Sequence, residues 1–545
     1  MVHRVNAVGY YTVESFTGAE EDILRRYFTN LDQPVFALVN LPEVVKGALF
    51  ARYSRSAKSL RRLFLDEFVD ELDISGDATL DATMGVKRAE TLYERVFLEY
   101  GDDSVAQLGG VHLACEQASN LLTKILERGR LMSYLEQSTR YVAYDSRSDG
   151  RYRYYRDPDV LMSSLGTRYV GDMDRLFDSY ADLVPRMAEF FRARYPKAPQ
   201  DSDMVWRQAI RAKAFDAVRG ILPAAALSNV GIYGSGQGYE QLLLRMRAHP
   251  LPEARDYADM MLLELRKVIP SFLSRVDRVD RGQQWSQYLD DTRINSSAVS
   301  AQLFSGDIDE EPITTTHVRL LDFDPDGEDK LIAAMLYESV DVPEERVLAK
   351  VRAMGADQKR AVADAYIGDR RNRRHKPGRA FERIDYRFDI LSDYGAFRDL
   401  QRHRLLTVEW QPLSPMHGYV LPDAVVEANC TDAFEGAMER SAELYDALAD
   451  RFVDQAPYAV SLAYRIRYVM QMNAREAMHL IELRSAPAGH PEYRFVAQEM
   501  HRLIAEQAGH RIVADAMRFV DHTDPDLERL DAERRAEQRR LAQGG

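Results

Sequence analysis

Between Arg128 and Tyr141 the chain reads Arg-Gly-Arg-Leu-Met-Ser-Tyr-Leu-Glu-Gln-Ser-Thr-Arg-Tyr. Three guanidinium groups, a carboxylate and serine hydroxyls in so short a run suit an anion or a polar heterocycle. Guanidinium grips phosphate bidentately, and hydroxyls complete the oxygen shell. A surface turn of mixed charge has the same composition, and composition alone does not choose between them. A second set stands later in the chain: Arg402-His403-Arg404, then Asn473-Ala474-Arg475, His479 and Arg484. Asn473 and Arg484 are eleven residues apart, about three helical turns, so a helix there places them on one face, with His479 on a neighbouring stripe. Two further features admit two readings. The densest basic run, Arg370, Arg371, Arg373, Arg374, His375, Lys376 and Arg379, is either a solvated loop or a small-anion site. The glycine-rich turn 234–238 either cradles a phosphate at a helix start or is a plain loop.

The elements that carry these groups come as a near-repeat. Glu127-Arg128-Gly129-Arg130-Leu131-Met132-Ser133 is echoed by Gln401-Arg402-His403-Arg404-Leu405-Leu406-Thr407, 274 residues on. Upstream of each lies a helical segment with a Tyr and a Ser, ending at Ser54 and Ser339. Downstream of each lies another long helical pattern, and three matches in the same order indicate duplication. The expected division is an N-terminal domain over 1–275, a connector over 276–316 rich in Asp, Ser, Gln and Thr, a C-terminal domain over 317–523 and a charged tail over 524–545. Helical periodicity is read over 103–127, with Asp102 or Asp103 as N-cap and apolar positions from Val105 and Leu108 onward, and over 211–227, 239–265 and 463–483. Short strands are read at 10–13, 318–321 and 386–390. The expected fold class is α+β, helix-rich with small antiparallel sheets.

A length of 545 residues calls for more than one core. A net charge of −14 disfavours nucleic-acid binding, because an acidic protein repels the phosphate backbone. No stretch reaches the ~18 to 20 apolar residues of a membrane span, and the first residues lack the apolar core of a secretory signal; a cytoplasmic protein is expected. Two cysteines, Cys115 and Cys430, cannot supply a four-ligand zinc site, so no metal centre is expected. Cys115, in an apolar stretch, reads as a core thiol rather than a nucleophile.

The run 128–141 resembles the signature of the flavin-dependent thymidylate synthases, Arg-His-Arg-x-x-Ser-x-Asn-Glu-x-Ser-x-Arg-Tyr. Arg128, Arg130, Ser133, Glu136, Ser138, Arg140 and Tyr141 match, while Gly129 replaces the His and Leu135 the Asn. The second copy keeps Arg402-His403-Arg404 and has Thr407 for the Ser, but Glu409, Trp410, Pro412 and Ser414 depart from the rest. The family's Phe-Glu-His element is similar to Phe381-Glu382-Arg383, its Asn-x-Arg to Asn473-Ala474-Arg475, and its Arg before Ile-x-Leu-Pro to Arg219.

The resemblance implies two tandem domains with complementary losses. The first copy keeps residues that in the family hold the nucleotide, Glu136, Ser138, Arg140 and Arg219. The second keeps those resembling the flavin shell, Arg402, His403, Arg404, Asn473, Arg475 and His479, together with nucleotide-contacting Arg484; Ser54, Arg128, Arg130 and Ser339 join the flavin-binding set. Family members are homotetramers with sites shared between subunits, so a homodimer of fused chains is expected to stand in for four domains, with one composite site built from two incomplete halves. The implied reaction is reductive methylation of dUMP to dTMP, with FAD as cofactor and methylenetetrahydrofolate and NADPH as co-substrates. In that scheme Arg484 polarises the pyrimidine, and Arg140 with Ser138 grips the phosphate. The competing expectations are a C5-modifying enzyme for another pyrimidine nucleotide, and a non-catalytic nucleotide- or flavin-binding paralogue.

Overall fold

Ile466, Tyr468, Met470 and Met472 alternate with Arg467, Val469 and Gln471, and the first set is buried. That two-residue period makes Arg465–Asn473 a strand, β10, the last of ten among the described residues. In this computed structural model, residues 2–6, 9–69, 107, 109–305, 315–523, 527 and 529–543 are described. Asp102, Asp103, Val105, Leu108 and part of the connector and tail lie outside them.

A hairpin of β1 (Val2–Asn6) and β2 (Gly9–Val13) precedes two antiparallel four-stranded sheets. The first sheet runs in the order β3 (Val35–Leu38), β4 (Gly110–Ser119), β6 (Leu227–Ser235), β5 (Met132–Glu136). The second runs β7 (His317–Phe323), β8 (Asp385–Asp393), β10, β9 (Thr407–Trp410). Both sheets share one strand order, and corresponding strands end in helix caps. Ser119 caps Asn120–Leu126 and Asp393 caps Tyr394–Leu400; Ser235 caps Gly236–Arg247 and Asn473 caps Ala474–Arg484. The fold class is α+β, duplicated.

Two helical readings give way to strand-then-helix. Residues 110–119 form β4, and the α-helix is Asn120–Leu126. Most of β4 is buried on both faces, so it does not alternate, and a bulge between Cys115 and Ala118, with Gln117 at φ 59°, breaks the two-residue spacing. Over 463–483 the chain is β10 followed by Ala474–Arg484. The stretch 239–265 is two helices, Gly236–Arg247 and Pro252–Leu265, because Pro252 opens the second at its first turn. The helix read over 211–227 is Asp203–Val218, followed by a 3-10 turn at Arg219–Ile221 and then β6 from Leu227. Within the expected connector, Gln284–Leu303 is a helix with no buried residue. Among the described residues no helix is long and apolar enough to cross a membrane.

The chain divides into two compact units that cut across the linear halves. One holds residues 1–181, 222–311 and 439–460; the other holds 182–221, 312–438 and 461–545. Each therefore borrows a segment from the other half of the sequence. In the second unit the carbonyl of Gly220 accepts from Ala463 N at 2.9 Å, and that of Ile221 from Ser461 Oγ at 2.9 Å. In the first, Tyr458 Oη donates to Glu253 at 2.7 Å.

Glu253 is fully buried and also accepts from Ser119 N (2.8 Å) and Oγ (2.6 Å), which ties the helix Pro252–Leu265 to the end of β4. Burial pushes its carboxyl up from 4.5 to about 7, against the opposing pull of the Ser119 and Tyr458 hydrogen bonds. A raised folded pKa means stability fully present below about pH 4.5 and lost as pH rises through about 7. Wild-type stability is therefore expected to fall relative to Glu253→Gln by about 3 kcal/mol from acidic to mildly alkaline pH, measured by urea denaturation across that range. A difference that stays flat with pH would remove the assignment.

Candidate active site

Arg484 closes the helix Ala474–Arg484, and its side chain is largely withdrawn from water, with 14% exposure. A buried cation needs partners, and it finds them on neighbouring elements of the second unit. Its Nε donates to His403 Nε2 at 3.0 Å, its Nη1 lies 3.5 Å from Asp399, and the Tyr493 ring is 5.5 Å away. Desolvation lowers its pKa, and Asp399 pulls the other way.

Because arginine only donates, His403 Nε2 must accept, which leaves the imidazole proton on Nδ1. That nitrogen faces Glu476 Oε1 at 3.1 Å. Burial, with Arg484, His479 and Arg402 nearby, drives the His403 pKa well below its ordinary value. His479, whose ring centroid is 5.4 Å from that of His403, is lowered to about 4 by burial and by Lys376, Arg373 and Arg484. Glu476 is raised to about 7 by burial. Among the described residues, His403, Glu476 and His479 are the only group close enough to share a metal ion. Both nitrogens of His403 are already engaged, however, and a guanidinium adjoins them, so the geometry is that of a neutral imidazole clamped between a donor and a carboxyl group.

Asp399, on the helix Tyr394–Leu400, binds Arg402 Nη2 at short range and lies 4.0 Å from Arg219 Nη1. Arg219 sits in the 3-10 turn Arg219–Ile221 and is buried. A Cβ on Gly395 would stand 3.2 Å from Arg219 Nη2 and 3.2 Å from Asp393 Oδ1, so glycine is what admits this guanidinium. Thus Arg219, Arg402, His403, His479 and Arg484 come together in one unit, although Arg219 belongs to the first half of the sequence.

The remaining expected residues play mixed parts. Asn473 uses its side chain to accept from Glu476 N at 2.9 Å as a helix cap. Arg475 donates to Pro377 O at 2.9 Å and pairs with Glu382 at 3.3 Å, pinning the basic segment. Within that segment Arg370 is a buried bidentate partner of Glu482 (2.8 and 2.6 Å), whereas Arg371 and Arg374 face solvent. Arg404 and Ser339 are exposed.

In the first unit, Ser54 O accepts from Ser138 N at 3.1 Å, and Arg140 N donates to Ser138 Oγ at 3.2 Å, which brings Ser54, Ser138 and Arg140 into one neighbourhood. Glu136 is buried on Lys124 Nζ (3.1 Å), which also binds Glu127 at 2.6 Å. Arg128 and Arg130 are exposed. The glycine-rich turn is explained by packing: a Cβ on Gly234 would meet Met132 Cε at 2.5 Å, one on Gly238 would meet Met132 Cγ at 3.0 Å, and Ser235 caps the helix that follows. Cys115 is a buried core thiol, its pKa raised by burial.

Asp399, Glu476 and Lys124 were not singled out from the sequence. Glu476 carried a signal, lying three residues after the capping Asn473 and three before His479 on one helix. A lone Asp three residues before Arg402 carried none.

The family of thymidylate synthase complementing proteins matches residues 50–271 and 319–509. The chain belongs to this family. Both copies of the domain are matched, as the repeat implies. A UPF0159 protein of Chlamydia muridarum is 39% identical over 524 residues, covering 95% of this chain and 98% of the relative. One from Thermoplasma acidophilum is 32% identical over 519 residues, covering 90% and 97%. Among solved structures, the UMP/dUMP methylase PolB from Streptomyces cacaoi bound with 5-Br dUMP aligns at 17% identity and TM-score 0.31, covering 40% of this chain and 100% of that one. The donor set of the second unit, arginines around a neutral histidine, suits an anionic, hydrogen-bonding ligand.

The clamp on His403 makes a spectroscopic prediction. Imidazole ¹⁵N shifts should report a neutral ring protonated at Nδ1 from about pH 5 to pH 8. Titration of His403 near its unperturbed value of about 6.5 would contradict the clamp.

Proposed function

We propose that this chain makes dTMP from dUMP by reductive methylation, at a site to which both halves of the sequence contribute. One observation carries the reading: Arg219, from the first half, lies in the same unit as Arg402, His403 and Arg484 and shares Asp399 with two of them. Residues lost from one copy are thus supplied by the other.

Uracil C5 is a weak nucleophile, and Cys115 and Cys430 are both buried. Activation falls instead to electrostatics. Arg484, held through Nε by His403, would turn Nη hydrogens to the pyrimidine carbonyl and stabilise negative charge developing there. By the family resemblance Arg140 and Ser138 of the first unit would grip the phosphate, and Glu136 and Arg219 are the other residues assigned to the nucleotide. Arg402, His403, Arg404, Asn473, Arg475 and His479, with Ser54, Arg128, Arg130 and Ser339, would hold FAD. When bound, FAD supplies the hydride, methylenetetrahydrofolate the carbon and NADPH the reducing equivalents. No metal takes part, and the partner is a second copy of the chain, forming a homodimer in place of four separate domains.

Four measurements test this. Expression in a thymidine-auxotrophic bacterium should restore growth, and the purified protein should show flavin absorbance; Arg140→Ala and Arg484→Ala should each abolish nucleotide binding or turnover. Normal kinetics in both variants would defeat the assignment. Protein without flavin absorbance or retained nucleotide would indicate a non-catalytic paralogue, and methylation or hydroxymethylation of a different pyrimidine nucleotide would indicate an altered substrate. Light scattering should report a dimer, and a monomer would sink the paired arrangement.

A further inference from the structure

A helix that buries none of its residues has to be held by something other than its own chain. In the first unit Gln284–Leu303 has no buried residue, and every residue from 291 to 305 is exposed. Composition does not account for it: Thr292, Asn295, Ser296, Ser297 and Ser300 are indifferent helix formers, and an unpacked helix of this length is marginal in water. Its first turn is anchored by Ser286 Oγ, which donates to Leu244 O at 3.2 Å. Beyond that anchor Trp285, Tyr288, Thr292, Ser296, Val299 and Leu303 recur at spacings of three and four and so share one face, with Leu289 beside them. The ends of this stripe are bulky and apolar: Trp285, Tyr288, Val299 and Leu303 are 48%, 63%, 54% and 69% exposed. Its middle, Thr292 and Ser296, is small. At the N-terminal end the stripe borders a groove of about 450 Å³ lined by Leu244, Trp285 and Tyr288, with the Glu240–Arg275 ion pair (2.7 Å) also in its wall.

We propose that a second copy of the chain docks on this face, with the two Gln284–Leu303 helices packed antiparallel about a two-fold axis. In that orientation the stripe is complementary to itself. Trp285 faces the partner's Leu303, Leu289 faces the partner's Val299, and Thr292 faces the partner's Ser296. The aliphatic end of each helix thus fills the aromatic groove of the other, twice over, while the small central residues let the two helices approach where they cross. Parallel packing would set Trp285 against its own copy and leave both grooves without an aliphatic occupant. Asp290, Asp291 and Arg293 lie off the stripe, as charges do at the rim of an interface. The inference rests on the homodimer of the proposed function and deepens it by naming the surface that joins the two chains.

Cys115 and Cys430 are both buried, so cysteines placed on the helix are the ones that react. Leu289→Cys and Val299→Cys, co-expressed as full-length chains and mildly oxidised, should give a cross-linked dimer containing one of each. Either variant alone should not cross-link, because antiparallel packing sets like positions ~15 Å apart along the helix axis, too far for a disulfide. Self-cross-linking of each variant, or none in the mixed sample, would overturn the proposal. By light scattering over a concentration series, Val299→Asp combined with Leu303→Asp should raise the dimer dissociation constant about tenfold or more, since both carboxylates would enter an apolar groove. The cross-linking decides the matter should this charged variant not fold. A folded variant as dimeric as wild type overturns the helix-to-helix interface and leaves the homodimer and the functional reading intact. A monomeric wild type removes the homodimer and this inference together, and leaves the stripe to a partner of another kind.

Discussion

A guanidinium group largely withdrawn from water must be surrounded by acceptors and counter-charge, and in the second unit that requirement organises the groups near Arg484. His403 is kept neutral so that its Nε2 can accept, and Glu476 lies against the opposite ring nitrogen. Asp399 brings the charge, and it brings Arg402 and Arg219 with it. Even the absence of a side chain at Gly395 follows from the demand, since a methyl group there would press on the Arg219 guanidinium. Removing water from such a cluster is costly, but it makes each remaining interaction stronger. That is the condition under which a positioned cation can alter the electronics of a bound ring.

The duplicated scaffold meets similar demands in two ways. At the end of β4, Ser119 caps a helix and donates to the buried Glu253, with Tyr458 completing the acceptor's shell. At the matching end of β8 the cap is Asp393, and the nearby glutamate is Glu492, which accepts from Thr316 Oγ1 at 2.9 Å. Burial and mutual repulsion raise the Asp393 carboxyl, while Arg219 and Arg465 pull it down. One copy thus settles the position with neutral donors, the other with paired charges. The unit with the charged version is the one that also gathers Arg402, His403 and Arg484.

Departures from the family signature in the first copy have packing causes. Gly129 stands where the family carries a histidine, and a Cβ there would meet Tyr134 Oη at 2.6 Å. Leu135 replaces an amide and packs against the cluster that includes Phe28, Phe36 and Phe64. Glu136, retained, is bound to Lys124 in the interior. The first copy has in this way turned part of a polar signature into core.

Duplication, fold class and the residue types of the site were legible in the order of amino acids, because spacing along a chain survives whatever the chain later does. The short strands near residues 10, 318 and 386 were legible from β-branched and aromatic content. β4 was not, because a strand buried on both faces and broken by a bulge loses the alternation that would mark it. The mixed roles of the basic run 370–379 were equally invisible, since a buried Arg370 and an exposed Arg371 read alike until Glu482 is seen beside one of them. Above all, only the tertiary structure could carry Arg219 into the unit of the opposite half and set Asp399 among three arginines. Linear order gives each residue its neighbours in the chain; contact between residues hundreds of positions apart depends on which exchanged segment the core accepts.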